Sequence, residues 1–140
     1  MIKRYKLFLL IYIILLSNSF IYIVEPSLPW LLIYPGLAHR SSITQYFYSK
    51  RTIDQKREFK ENIKDQLLMK SYVFEKNKYP YNVQAEHWVL WLSYSMSNDE
   101  IEYILDKELM GKEYKYYENP VYLRSVPDVI HYHVFVKYKK

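Results

Sequence analysis

The sequence contains no cysteine at any of its 140 positions. Disulfide bonds, thiol nucleophiles and thiolate metal sites are therefore excluded as features of this chain. Glycine is scarce as well, with 2 residues, and no glycine-rich run of the kind that cradles nucleotide phosphates is present. No serine stands in the glycine-flanked turn of an acyl-transfer nucleophile. These absences leave thiol, acyl-transfer and nucleoside-triphosphate chemistry without support.

The sequence also lacks a continuous basic stripe. Its formal net charge is +5, but much of the excess lies near the two ends, and the cations of the middle are followed closely by Glu58, Glu61 and Asp65. Nucleic-acid binders more often concentrate Lys and Arg on one face, so a nucleic-acid partner is not expected. A chain of 140 residues, 50% of them hydrophobic, suffices for one domain with a core and not for two.

One long apolar stretch is present at residues 7–24, after the cations Lys3, Arg4 and Lys6. As a helix it would be about 27 Å long, which is just enough to cross the hydrocarbon core of a bilayer. The cations before it would keep the N-terminus in the cytoplasm. We therefore predict that residues 1–24 form an anchor and that residues 7–24 place the protein in a membrane as a single-pass protein. A cleaved signal peptide and a core helix are the alternatives.

The remainder, residues 25–140, is predicted to be a single α+β domain. Residues 41–72 have helical apolar spacing behind a capping serine, as one helix or as two broken near residues 49–52. Strand patterns occur at residues 86–94 and 131–139, and a helix pattern between them ends at Gly111. We predict a small antiparallel or mixed sheet packed with helices and preceded by an apolar N-terminal helix.

The last strand pattern carries two histidines on one face. Because side chains alternate along a strand, His131 and His133 point the same way, about 7 Å apart. Such a pair can bind a metal, share protons or hold a phosphate, or the face can simply be polar because solvent or a helix end covers it. Other polar residues accompany the aromatic strands and suggest a concave site. They are Glu86, His87, Glu118, Asn119, Arg124, Ser125 and Asp128.

Three stretches resemble a known family. They are "YPYNVQAEHWVLW", "YYENPVYLRSVPDVIHYHVFVK" and, less sharply, "LAHRSSITQYFY". Together they are similar to the domain of unknown function named after fungal N-acetylglucosamine-induced proteins, over about residues 30–140. That family is usually soluble, so residues 7–24 look like an addition and a cytoplasmic location is the alternative. The resemblance marks as motif positions Glu86, His87, Trp88, Asn119, Pro120, Arg124, Ser125, His131 and His133.

We predict that these residues form a pocket for an anionic small molecule, such as a sugar phosphate or a nucleotide sugar. Arginine guanidinium groups would hold the phosphate in a bidentate manner. His131 and His133 would donate hydrogen bonds, and Trp88 or Trp91 would stack on a sugar or base. The residues predicted to contact the ligand are Arg40, His87, Trp88, Asn119, Arg124 and Ser125.

Two other functions stay open. In an enzyme, His131 and His133 would act as catalytic acid and base, with Glu86 or Asp128 orienting one of them. A metal-dependent variant would add His87 to His131, His133 and Glu86 as ligands, although we predict no metal ion and no other cofactor. The third possibility is a membrane-associated structural or interaction protein in which the histidines have no chemical role.

Overall fold

The computed structural model of the protein describes residues 25–139. The predicted anchor at residues 7–24, and with it the apolar N-terminal helix, lies outside the described residues. Within the described range, no helix combines the length and the apolar character needed to cross a membrane.

Helices and one small sheet make up the described chain. Its elements in chain order are a 3-10 turn at Trp30–Leu32, α1 at Ser42–Ser49, α2 at Ile53–Met69, β1 at Tyr72–Lys76, β2 at Glu86–Leu92, α3 at Asn98–Leu109, β3 at Tyr114–Tyr117, a second 3-10 turn at Val121–Leu123 and β4 at Ile130–Val136. The strands pair antiparallel in the order β1-β2-β4-β3. The prediction of an α+β fold with a small sheet is confirmed, and of the two sheet types the antiparallel one is observed.

Local capping explains why residues 41–72 form two helices. At the start of α2 the Thr52 hydroxyl accepts the Gln55 N–H at 3.1 Å, and the Gln55 side chain accepts the Thr52 N–H at 2.9 Å. This reciprocal box satisfies two backbone donors that a helix N-terminus leaves unpaired, so a new helix begins there. Of the two alternatives, the break near residues 49–52 is the observed one.

The sequence patterns did not predict the two edge strands, β1 and β3. Both are short, and each mixes aromatic with charged side chains, as in "YVFEK" and "YKYY". Neither shows the apolar alternation that marks a strand in isolation. Their extended conformation comes from pairing with β2 and β4, which is a tertiary effect.

The sheet is covered on both faces. One face, here called the α3 face, packs an apolar core against α3, with Leu90, Leu92, Val134 and Val136 meeting Ile101, Ile104, Leu105 and Leu109. The other, the histidine face, carries His87, His131 and His133 and packs against α2 and the segment before α1. His131 is only 3% exposed and His133 only 6%. Of the two coverings considered for a merely polar face, solvent is not the one observed, because α2 and the preceding segment cover that face.

Candidate functional site

The register of β2 against β4 brings together two histidines from different strands. His87 lies opposite Phe135, and His133 lies opposite Val89, so the two imidazoles are diagonal neighbours on one face. His87 Nε2 and His133 Nδ1 are 2.8 Å apart, which is a hydrogen-bond distance. The closest imidazole pair is thus a cross-strand pair and not the His131 and His133 pair of the last strand.

A backbone donor fixes the direction of this hydrogen-bond chain. The Tyr81 N–H donates to His87 Nδ1 at 2.9 Å. A backbone N–H can only donate, so the proton of neutral His87 lies on Nε2 and is donated to His133 Nδ1. The proton of His133 consequently lies on its Nε2.

Asn119 closes the chain at its other end. Its Nδ2 atom lies 2.9 Å from both His133 Nε2 and the Tyr81 hydroxyl. Because Nδ2 and a protonated Nε2 are both donors, one proton per imidazole requires the amide to be turned over, so that Oδ1 accepts from both partners. Every ring nitrogen of His87 and His133 then has a protein partner.

Burial keeps this pair neutral. Burial, then the neighbouring imidazole, then Arg40 hold the pKa of His87 well below its ordinary value. Burial lowers the pKa of His133 to about 3, with smaller contributions from the charges of His131 and Arg40. A second proton on either ring would also remove the acceptor on which the chain depends. The pair therefore has a structural role, joining β2 and β4 by a buried hydrogen bond. His133 lacks the free nitrogen that the predicted acid–base role requires.

His131 differs from the other two histidines of this face. Its Nδ1–H donates to the Val129 carbonyl at 2.8 Å, and its Nε2 has no hydrogen-bond partner among residues 25–139. The ring packs against the Trp91 indole, with centroids 4.7 Å apart. Burial lowers the pKa of His131, so Nε2 carries a lone pair at neutral pH. This nitrogen is available to accept a proton or a hydrogen bond.

A cavity of about 480 Å³ opens beside this face, between α2, β1 and the β1–β2 loop. Its aromatic lining is Tyr48, Phe59, Tyr79 and Trp91, and the rings of His131 and His133 also border it. Its cationic lining is Arg40, Arg51, Lys76 and Lys78, and its acidic lining is Glu58 and Glu75. Four cations against two carboxylates give the wall a positive balance.

The two arginines are held close together around Tyr48. Arg40 donates from Nε to the Tyr79 carbonyl, and Arg51 donates from Nε to the Tyr48 carbonyl, each at 3.0 Å. Their guanidinium carbons lie 3.7 and 3.9 Å from the centroid of the Tyr48 ring. Neither forms a salt bridge within the described part of the chain. Burial lowers the pKa of Arg40, because it disfavours the charged guanidinium. A bound anion would favour the charged form and offset this effect of burial.

The structure brings together only some of the predicted site residues. Arg40, Ser125, His131 and His133 border the cavity, and His87 and Asn119 lie behind it in the hydrogen-bond chain. Arg124 is already engaged: its side chain donates to the Asn119 carbonyl at 2.7 Å and to Glu118 at 2.8 Å. Arg124 does not border the cavity, and internal contacts take the place of its predicted contact with a phosphate.

Glu86 and Trp88 lie on the opposite side of the sheet. The Trp88 indole donates to the Glu86 carboxylate at 3.0 Å and stacks on Phe74, with centroids 5.0 Å apart. Alternation along β2 points both residues away from His87. The predictions that Glu86 orients an imidazole and that Trp88 stacks on the ligand are corrected on this ground. Of the two tryptophans considered, Trp91 is the one beside the cavity.

Sequence reasoning missed Arg51, together with Tyr48 and Tyr79. The mixed cations and acids of this stretch suggested a solvated face. No local signal separates Arg51 from Arg57, because each has Asp54 three positions away, and only the fold shows that Asp54 pairs with Arg57, at 2.7 Å.

The described residues include no group of three or more His, Asp or Glu side chains placed to hold a metal ion. The metal-dependent variant needed His87, His131, His133 and Glu86 together. The sheet itself separates Glu86 from the three imidazoles, and the hydrogen bond between His87 and His133 occupies two of the nitrogens.

No protein-family model and no curated protein matches the chain. Among solved structures, the chain is similar to the crystal structure of a protein called HTC1, with 18% sequence identity and a TM-score of 0.51. The match covers 71% of this chain and 76% of that chain. At this identity the likeness concerns the fold alone. The resemblance to the N-acetylglucosamine-induced proteins stays a prediction.

Proposed function

We propose that the cavity binds an anionic small molecule bearing a phosphate group, with a sugar phosphate or a nucleotide sugar as the expected class. The observation that carries the proposal is the pair Arg40 and Arg51, held beside one cavity without a carboxylate partner in the described chain. Each Nε is used on a backbone carbonyl, so the terminal nitrogens of both guanidinium groups are left for a ligand. Such forks match the geometry of phosphate oxygens.

The rest of the lining fits the non-phosphate part of such a molecule. Phe59, Tyr79 and Trp91 supply apolar and aromatic surface next to the cations. The cavity volume lies within the range of about 300–1,000 Å³ that is usual for small-molecule sites. A sugar or a base could pack against these rings while the phosphate meets the arginines.

The replacement Arg51→Ala tests this proposal. We expect it to weaken binding about ten- to a hundredfold, because a hydrogen bond to a charged group contributes about 1.5–3 kcal/mol. The measurement is calorimetric titration with inorganic phosphate, an amino-sugar phosphate and a nucleotide sugar. The matched control is Arg57→Ala, which removes the same charge from an exposed position paired with Asp54.

Two results would count against an anion site. One is an equal loss of affinity in Arg51→Ala and Arg57→Ala, which would show that only net charge matters. The other is a wild-type protein that binds no member of the panel.

His131 supports a second candidate, an enzyme that acts on the bound molecule. Its ring borders the cavity, and the Val129 carbonyl fixes its tautomer so that Nε2 is unprotonated. A base in this position could take a proton from a substrate hydroxyl. His133, the other histidine predicted for catalysis, would act through packing, since both of its nitrogens are engaged.

The replacement His131→Gln separates binding from catalysis. For any compound that the wild type converts, we expect turnover to fall by about 10²–10⁴-fold, which is the usual contribution of a general base. The dissociation constant should change far less, because the arginines hold the phosphate. Phosphorus NMR of each bound compound over time provides the measurement. Turnover that survives in His131→Gln would eliminate this role, and so would a wild type that converts none of the compounds it binds.

A further inference from the structure

Helix α1 has an apolar face with nothing packed against it in the described structure. None of its residues is buried. Ile43, Tyr46 and Phe47, at positions i, i+3 and i+4, are 62%, 56% and 60% exposed. The rings of Tyr46 and Phe47 touch edge to face with centroids 5.5 Å apart, so these side chains form one patch. A surface helix normally turns such a stripe toward a core, and this one does not.

The chain around α1 has the charge of a surface that meets anions. Residues 26–53 contain no Asp or Glu, and their charged side chains are Arg40, Lys50 and Arg51. Lys50 follows the patch by one turn, and its Nζ lies 5.3 Å from the Tyr46 ring. At a lipid interface, lysine places its apolar stem along apolar surface and keeps its ammonium group in water, and a lysine next to an exposed aromatic patch suits that role. Exposed large apolar side chains also continue on either side of α1, at Leu31, Leu32, Tyr34, Leu37 and Ile53.

The start of α1 lies where the long apolar stretch of the sequence joins the described chain. The Glu25 carboxylate accepts the Ser42 N–H at 2.9 and 3.1 Å from its two oxygens. The apolar run at residues 7–24 ends one position before Glu25. The first described residue after this apolar run is therefore hydrogen-bonded to the start of α1.

We propose that the apolar face of α1 lies in the interfacial layer of an anionic lipid bilayer. Ile43, Tyr46 and Phe47 enter the boundary between headgroups and acyl chains, and Lys50 contacts lipid phosphates. A second copy of the chain is a poorer occupant. The three side chains offer a few hundred Å² of surface, below the roughly 800 Å² that each partner buries in a stable protein interface.

The absence of cysteine makes a direct test available, since one introduced thiol labels one position. In the full chain, Ile43→Cys carries an environment-sensitive fluorophore, and Gln45→Cys is the matched control on the same helix. Position 45 is also exposed and lies about 200° around the helix from position 43. Both proteins are reconstituted with vesicles of phosphatidylcholine and phosphatidylserine. Collisional quenching is measured with brominated lipid and with aqueous iodide.

The expected result is strong quenching by brominated lipid at position 43 and strong quenching by iodide at position 45. Iodide quenching of equal strength at both positions would overturn the proposal. Protection of position 43 from both quenchers would overturn it as well, because it would indicate a protein partner. Neither labelled position borders the cavity, so the outcome is independent of the proposed ligand.

Discussion

Lowering the pH from 7.5 to 5 is expected to reduce the free energy of unfolding by about 4 kcal/mol, at a limiting slope of about 1.4 kcal/mol per pH unit for each of two histidines. The cause is the pair His87 and His133, whose folded-state pKa values are lowered by burial. In the unfolded chain both imidazoles take up protons near pH 6.5. The folded chain does not, so stability falls as the pH drops below that value.

The sign of this linkage follows from where the protons bind. At neutral pH neither state carries the extra protons, so the pair imposes no penalty there. Below pH 6.5 the unfolded state binds more protons, and stability is lost until the pH reaches the lowered folded-state pKa, about 3 for His133. A loss of this size matches much of the total stability of an ordinary domain, which is about 5–15 kcal/mol. Acid-induced unfolding is therefore expected well above the lowered pKa values.

Chemical denaturation at a series of pH values gives the measurement. His133→Gln removes one buried titrating group and leaves an amide that can hydrogen-bond His87, so the limiting slope should fall by about 1.4 kcal/mol per pH unit. The control is His39→Gln, which replaces an exposed imidazole outside the buried pair. The pH slopes are compared, and not the absolute stabilities. An unchanged slope in His133→Gln would show that another group causes the acid lability.

Replacing Phe135 by Ala is expected to lower the free energy of unfolding by about 3–5 kcal/mol, the usual cost of truncating a buried phenylalanine. Phe135 is 0% exposed and clusters with Ile33, Val83 and Ala85. Its ring also stacks on the His87 imidazole, with centroids 4.6 Å apart. The expected loss of stability therefore has two sources. One is the cavity left by the ring, and the other is the lost packing against the hydrogen-bonded histidines.

Urea denaturation at neutral pH checks this expectation. The control Tyr138→Ala removes a ring of similar size that is 57% exposed, and its effect should stay within about 0.5 kcal/mol. If the two variants lose similar stability, Phe135 does not hold the segment before α1 against the sheet in the way described.

Much of the fold could be predicted because its signals are local. The helix α3 has a capping serine, early acids and an apolar stripe within a few residues, and the structure places it at Asn98–Leu109. Strands β2 and β4 have enough β-branched and aromatic residues to stand out. Alternation alone puts His131 and His133 on one face, and the same alternation along β2 separates His87 from Glu86 and Trp88. Grouping those three residues into one site overlooked that constraint.

The candidate site was less predictable because its contacts join distant parts of the chain. The hydrogen bond from Arg40 to the Tyr79 carbonyl spans 39 positions, and that between His87 and His133 spans 46. No local pattern encodes which residue of β2 lies opposite which residue of β4. Arg124 shows the same limit: the sequence suggested a contact with a phosphate, whereas in the fold its guanidinium binds Glu118 and the Asn119 carbonyl.

The sequence by itself determined where α3, β2 and β4 form, which way their side chains alternate, and that thiol chemistry is absent. Those properties depend on backbone propensity and on neighbours within one or two turns. Only the tertiary structure decided that two edge strands exist, that the histidine face is buried, and that Arg40 and Arg51 meet at one cavity. Burial and strand register set these features, and both act between residues that the chain keeps far apart until it folds.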